Sequence, residues 1–401
     1  MRRLHAHGDE VLVIDPRLHH LANAMLNRST LEPLPLEHDL VSAPISASHQ
    51  HHEEDDAHVA EHRVRSVARV SILLPARNAA GTIDLAVKSL LTQTFTDFEL
   101  IALDDGSTDD TGERLRVHAR ADSRVQVHTG PGKGLIAALE LGRTLCRGEL
   151  LARMDADDES LPRRLEKSVH ALAADPSLAG VGTGVEIFRD DQPPSPNFIG
   201  YGQWLSSLIT PELLFREALV ESPLCHPSVM LRRTVLDDVG GWRDGDFPED
   251  WELWLRLLER GHKLTCLPEV LHRWRDSEQR LTRTDARYRR EAHLAIKSDF
   301  ISRRLGHERG LILWGAGEVG LKVSRLLRAK GHRVEQFVEL HPRKIGRKLE
   351  GIPAIAPAEL APPNERTHLL ATVGAKGARA EIREWLVSRG WIEGRDFTCL
   401  A

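Results

Sequence analysis

Arg153-Met-Asp-Ala-Asp-Asp-Glu-Ser-Leu-Pro-Arg-Arg-Leu165 decides the reading of this chain. Three carboxylates, Asp155, Asp157 and Asp158, stand just past the apolar run Glu149-Leu-Leu-Ala-Arg-Met154, which reads as a buried strand. A helix-compatible stretch with a proline in its opening turn follows. Acids crowded at a strand end repel one another, so they need a cation or hydrogen-bond donors. Hard oxygen ligands of this kind suit Mg²⁺ or Mn²⁺ shared with a substrate's phosphates. Read alone, the same residues are more often a solvated acidic turn in which Asp158 or Ser160 caps the helix.

The neighbouring segments change that balance. Val70-Ser-Ile-Leu-Leu74 is a strand ending at Pro75-Ala-Arg-Asn78, and Gly81–Leu91 has helical spacing of apolar residues. Phe98–Leu103 is a second strand, ending in Asp104-Asp-Gly-Ser-Thr-Asp109 before another helix. Val125-Gln-Val127 is a third, and Gly130-Pro-Gly-Lys-Gly134 leads into a helix over Leu135–Leu145. Alternating strands and helices imply a parallel sheet covered on both faces. Ligands of such sheets sit beyond the carboxyl ends of the strands, where all four polar clusters fall. A further helix over Glu249–Leu258, preceded by Pro248, carries acids in its first turn.

The series Pro75-Ala-Arg-Asn78, Asp104–Asp109, Asp155-Ala-Asp-Asp158 and Pro248-Glu-Asp-Trp-Glu-Leu-Trp254 resembles the family 2 glycosyltransferases of the GT-A fold. It is most similar to those that build bacterial surface polysaccharides. The resemblance covers residues 68–305 and implies inverting transfer of a sugar from a nucleotide diphosphate to an acceptor hydroxyl. It implies a UDP-sugar as the expected donor and a glycan or lipid-linked molecule as acceptor. By position, Pro75, Arg77, Asn78 and Asp105 would hold the nucleoside of the donor. Asp155 and Asp157 would form the metal motif, with Asp157 the direct ligand, and Asp250 would be the base. Arg77 stands where the family often has an aromatic residue.

Elementary chemistry is compatible with these roles. Asp105, in a turn with Gly106, can accept from a ribose hydroxyl or a base N–H, or simply cap the turn. Lys133, among glycines at a helix start, can meet a diphosphate or remain solvated. A sugar hydroxyl needs a base to take its proton, and the positive end of a helix would keep Asp250 ionised and aim it outward. On the acceptor side stand His226, Glu249 and Trp251, and one of Trp242, Trp251, Trp254 and Trp274 is expected to line the pocket.

Composition bounds the rest. With 401 residues, 41% of them hydrophobic, the chain is long enough for two real cores. A net charge of −5, from 54 basic and 59 acidic residues, gives no bulk attraction to nucleic acid or anionic membrane. The four cysteines are scattered without ligand or disulfide spacing, which suits a reducing cytoplasm. No apolar run approaches the roughly 20 residues of a membrane span, and the start lacks a signal-peptide core. A soluble cytoplasmic enzyme is expected, and a peripheral place at the membrane is compatible with it. Residues 1–67 read as an N-terminal extension with a partly disordered linker, in which a histidine- and acid-rich stretch over Ser46–His62 is more linker than metal site.

Residues 310–401 read as a small Rossmann-like α/β domain following the GT-A domain and its mixed, mainly parallel sheet. Strand Gly310–Trp314, the turn Gly315-Ala-Gly-Glu-Val-Gly320, a helix and strand His332–Val338 place Glu339 about twenty residues past the glycines. Gly315, Gly317, Gly320 and Glu339 thus form a second nucleotide-site candidate, unless the glycines serve only close packing. Two other functions stand beside transfer. One is a catalytically degenerate transferase that binds or senses nucleotides or nucleotide-sugars. The other is an oxidoreductase run by the tail, for which no residues of hydride chemistry are seen.

Overall fold

The computed structural model describes residues 67–401 with position 376 excepted, so the expectations for the N-terminal extension lie outside the described residues. Strand β1 (Val70–Ala76) shows why the first sheet forms. Successive side chains of a strand point to opposite faces. Ile72 and Leu74 therefore pack against helix Ile83–Leu91, while Leu73 packs against helix Leu135–Leu145 on the other side. Strands β2 (Phe98–Asp104), β3 (Val125–Thr129) and β4 (Leu150–Arg153) run parallel to it in the order β3-β2-β1-β4.

Beyond β4 the sheet becomes mixed. It adds β5 (Glu159–Ser160), β6 (Leu178–Phe188), β7 (Met230–Arg232) and β8 (Lys263–Arg275), for a full order of β3-β2-β1-β4-β7-β6-β8-β5. β7 is antiparallel to β4 and β6, whereas β6 and β8 are parallel. The expected mixed, mainly parallel α/β sheet is what the chain forms. β8 shows no clean alternation, because Pro268 and the register shifts beside Gly184 break its thirteen residues into two pieces. The helix expected from Pro162 begins at Arg164, after a turn that follows β5. Helix Pro196–Ser207 follows a loop that holds Pro193 and Pro194. It is announced by Ser195, whose hydroxyl accepts from the Phe198 amide, and by Pro196 in the first turn.

A second sheet occupies the C-terminal part: β9 (Gly310–Trp314), β10 (Val334–Val338), β11 (Lys348–Leu349), β12 (Ile352–Ile355), β13 (Thr367–Ala371) and β14 (Phe397–Cys399). Its order is β11-β12-β10-β9-β13-β14, all parallel except the β11–β12 hairpin. The two sheets nevertheless belong to one compact unit. Helix Arg290–Leu305 lies between them, and its Leu294 and Phe300 share one apolar cluster with Trp251 and Trp254 on one side and Leu313 and Val323 on the other. Lys297 of that helix is buried and donates to the carbonyls of Val220, at 2.8 Å, and Leu400, at 2.7 Å. Burial lowers its pKa to about 8. Arg383 of helix Ala378–Val387 pairs with the buried Glu217 at 2.9 Å.

Candidate active site

The four strand ends are tied into one rim. Asn78, with a left-handed φ of 51°, accepts from the Thr108 amide at 2.8 Å, joining the end of β1 to the end of β2. Asp105 is buried and spends both carboxylate oxygens on the third loop, accepting from the amides of Gly132 at 2.7 Å and Gly134 at 2.8 Å. A Cβ on Gly130 would come within 2.8 Å of the Asp105 backbone, so this loop closes only on glycine. Thr82 donates to the Ala156 carbonyl at 3.0 Å and so reaches the acidic loop. Pro75 is buried in β1, whereas Arg77, Asn78 and Lys133 are exposed on the rim. Gly132 and Gly134 are therefore not the bare amides that the sequence suggests beside Lys133.

At the acidic loop, oxygens of Asp155, Asp157 and Asp158 lie within 4.8 Å of one another. The protein offsets two of these charges. Asp155 pairs with the buried Arg153. Asp158 accepts from the Arg275 amide at 2.8 Å and meets His272 Nε2 at 2.9 Å. Burial and the Asp155 charge push Asp158 well above the carboxylate range, and burial holds His272 well below the imidazole range. Among the described residues no side chain hydrogen-bonds or ion-pairs with Asp157, although the Arg280 charge acts on it. Burial, then the charges of Asp158 and Asp155, push it up to about 7. A trio of hard oxygens, one of them on an acid without a direct side-chain partner among the described residues, fits a divalent cation.

Arg164, also buried, braces this loop from below. It donates to the Ser160 hydroxyl at 2.8 Å and to the carbonyls of Arg153 at 3.1 Å and Pro227 at 2.7 Å. Asp250 occupies the first turn of helix Glu249–Glu259, half-buried, and accepts from the Ser222 hydroxyl at 3.1 Å. The helix terminus does not keep it strongly acidic. Burial, followed by the adjacent Glu249 charge, outweighs the Trp251 amide and Ser222 and raises it to about 7. Glu249 itself is buried and accepts from the Tyr288 hydroxyl at 2.5 Å. Burial acts to raise its pKa, but His226 and Tyr288 together hold it below the usual range.

His226 is packed rather than open. The Trp242 indole N–H donates to its Nε2 at 3.0 Å, and an indole nitrogen can only donate. The imidazole proton therefore sits on Nδ1, 3.6 Å from Glu249. Burial and the nearby Arg153 charge both keep the ring neutral. Trp251 is fully buried, with its indole N–H donating to the Ala218 carbonyl at 2.7 Å, so it is a core residue. Trp242 and Trp254 are buried as well, and of the four tryptophans only Trp274 is partly exposed, against Tyr201 and Arg280. The acidic loop and the Glu249–Asp250 turn are neighbours, because the Arg153 charge acts on Asp155, Asp158 and Glu249 alike.

Comparison with known proteins decides what this arrangement belongs to. A family model described as glycosyl transferase family 2 matches residues 71–240. The O-antigen biosynthesis glycosyltransferase WbnJ of Escherichia coli is 30% identical over 199 residues, covering 49% of this chain and 74% of that protein. This chain is a family 2 glycosyltransferase. The transferase is also 27% identical over 196 residues to an Escherichia coli UDP-Glc:alpha-D-GlcNAc-diphosphoundecaprenol beta-1,3-glucosyltransferase, WfgD, covering 47% of the chain and 70% of that protein. Among solved structures, Staphylococcus aureus TarS 1–349 in complex with UDP-GlcNAc aligns at a TM-score of 0.46 and 17% identity, over 65% of this chain and 71% of that one, a likeness too distant to bear on function. Among the described residues no helix is long and apolar enough to cross a membrane.

Sequence reasoning missed Arg153, Arg164, Ser222, His272, Arg275 and Tyr288. Arg153 and Arg164 both lie in the quoted acidic stretch, and an arginine inside a buried strand is a signal in itself, since a buried charge requires a partner. The others come from distant segments with no local mark. In the second sheet, Glu339 bends back to accept from the Ala316 amide at 2.6 Å and from Lys344 at 3.2 Å. A Cβ on Gly320 would lie 1.9 Å from the Gly315 carbonyl, so that glycine is required by strand–helix contact. Gly317 faces open space, and Gly315 holds a left-handed φ of 103°.

Proposed function

We propose that the transferase moves a sugar, with inversion, from a nucleotide diphosphate donor, a UDP-sugar, to a hydroxyl of a glycan or lipid-linked acceptor in cell-surface polysaccharide synthesis. The single observation that carries this reading is the acidic trio, its oxygens within 4.8 Å of one another, beside a buried arginine whose charge also reaches Glu249, the chain neighbour of Asp250. The relative named for UDP-Glc and an undecaprenol-linked acceptor supports the choice of donor and acceptor class.

Asp155 and Asp157 would hold the divalent cation, Mg²⁺ or Mn²⁺. When bound, it would supply positive charge to the departing diphosphate. The other roles fall to the chain. Asp250 takes the proton of the acceptor hydroxyl, and a carboxylate of pKa about 7 does this better at neutral pH than one of ordinary acidity. Ser222 holds the Asp250 oxygen in place, and Glu249, fixed by Tyr288 and His226, sustains the raised pKa. Arg77, Asn78 and Lys133, exposed on the rim, would meet the nucleotide. Asp105 acts there by shaping the loop beneath it.

A panel of nucleotide-sugars, assayed for donor hydrolysis with and without Mn²⁺, tests the reading. One donor is expected to be cleaved only with the metal, giving product of inverted anomeric configuration by NMR. Asp250→Asn is expected to lose transfer by about 10²–10⁴-fold while still binding the donor. Wild-type turnover in that variant would remove Asp250 as the base.

A further inference from the structure

Arg153 closes β4 two positions before Asp155, and its side chain is only 3% exposed. Its Nη1 touches the Asp155 carboxylate outside hydrogen-bond alignment, and its Nε meets no acceptor among the described residues. Burying a guanidinium with idle donors is costly, and the charge cannot be shed because arginine does not deprotonate in proteins. Asp158 and Glu249 also feel this charge, yet each is already engaged, by Arg275 and His272 and by Tyr288 and His226. Asp155 is thus the one member of the acidic trio whose partner is a bare cation.

We propose that Arg153 is the resident counter-cation of the acidic loop and competes with the divalent ion for Asp155, so that the metal binds tightly only together with a nucleoside diphosphate. An ion held by Asp155 and Asp157 would lie beside a fixed guanidinium, and the two positive charges oppose each other. The diphosphate oxygens supply the extra negative charge that lets both remain. The exchange orders loading: donor and metal enter as a pair, and the free enzyme keeps Asp155 neutralised by its own arginine. This inference rests on the metal reading of Asp155 and Asp157.

Mn²⁺ binding to the full chain, followed by electron paramagnetic resonance with and without UDP, tests it without any sugar or acceptor. Wild type is expected to bind Mn²⁺ weakly alone and much more tightly with UDP. Arg153→Met is expected to bind Mn²⁺ alone at least about tenfold more tightly, the scale on which an adjacent guanidinium stabilises a carboxylate, while Arg153→Lys stays weak. Unchanged or weaker UDP-free binding in a folded Arg153→Met overturns the proposal. Asp155→Asn reads the same competition with the arginine intact. It is expected to leave UDP-free affinity within about twofold but to weaken binding with UDP by about tenfold or more. Equal losses in both states would show Asp155 to be a free ligand from the start and overturn the proposal. If wild type binds no Mn²⁺ even with UDP, the metal reading itself fails and takes the inference with it.

Discussion

A carboxyl group that burial and a like charge raise to about 7, as at Asp250, imposes a pH dependence on both chemistry and stability. Transfer should rise with pH through an acid limb centred near 7, because only the ionised form accepts the proton. Stability runs the other way. In the unfolded chain an aspartate loses its proton near pH 3.9, so between about pH 4 and the folded value the folded chain alone retains it. Stability from this group therefore falls as pH rises through that window and is level above it. The melting temperature of Asp250→Asn relative to wild type should accordingly increase from about pH 4 to about pH 7. A pH-independent difference would show that Asp250 is not desolvated. The acids at 155 and 157 were readable from their place past a strand end, and the roles of 155, 157 and 250 from the resemblance of the motif series. Their electrostatic states were not, because His272, Arg275, Ser222 and Tyr288 approach from other segments.

At the scale of elements, the loops at the strand ends hold one another in place. Asp105 anchors the turn over Gly130–Gly134 by two charge-assisted bonds, and its own amide donates to the Ala76 carbonyl at 2.8 Å. Buried bonds to a charged acceptor contribute about 1.5–3 kcal/mol each, and two that share one carboxylate are not additive. Asp105→Ala should then cost about 2–4 kcal/mol in urea unfolding and speed amide exchange at Gly132 and Gly134. Loss of nucleotide affinity without any loss of stability would instead place the carboxylate on the ligand. The strand–helix alternation of this half was legible because each strand is short, apolar and followed by a helical period. β8 and the cap on Asp158 were not, since β8 is interrupted by Pro268 and its pairing with β5 and β6 is long-range.

For the whole molecule, the shared cluster around Leu294, Phe300, Leu313 and Trp254 makes two sheets one cooperative structure. Full-length protein should show a single calorimetric unfolding transition with equal calorimetric and van't Hoff enthalpies. Truncation after residue 306 should leave a fragment that aggregates, because it would expose the face of helix Arg290–Leu305 that packs on Glu318–Ala329. Two separated transitions would contradict this. The order of motifs in the chain determined by itself that a parallel α/β transferase sheet would present acids beyond its strand ends, and that a glycine-punctuated second sheet would follow. Those features depend on local periodicity and on turn residues, which act within a few positions. Only the tertiary structure decided which acids are neutralised and which are left exposed to a ligand's charge, that His226 and Trp251 pack inward, and that the second sheet is fused to the first. Desolvation and charge pairing depend on what lies nearby in space, and most of those neighbours are far away in the chain.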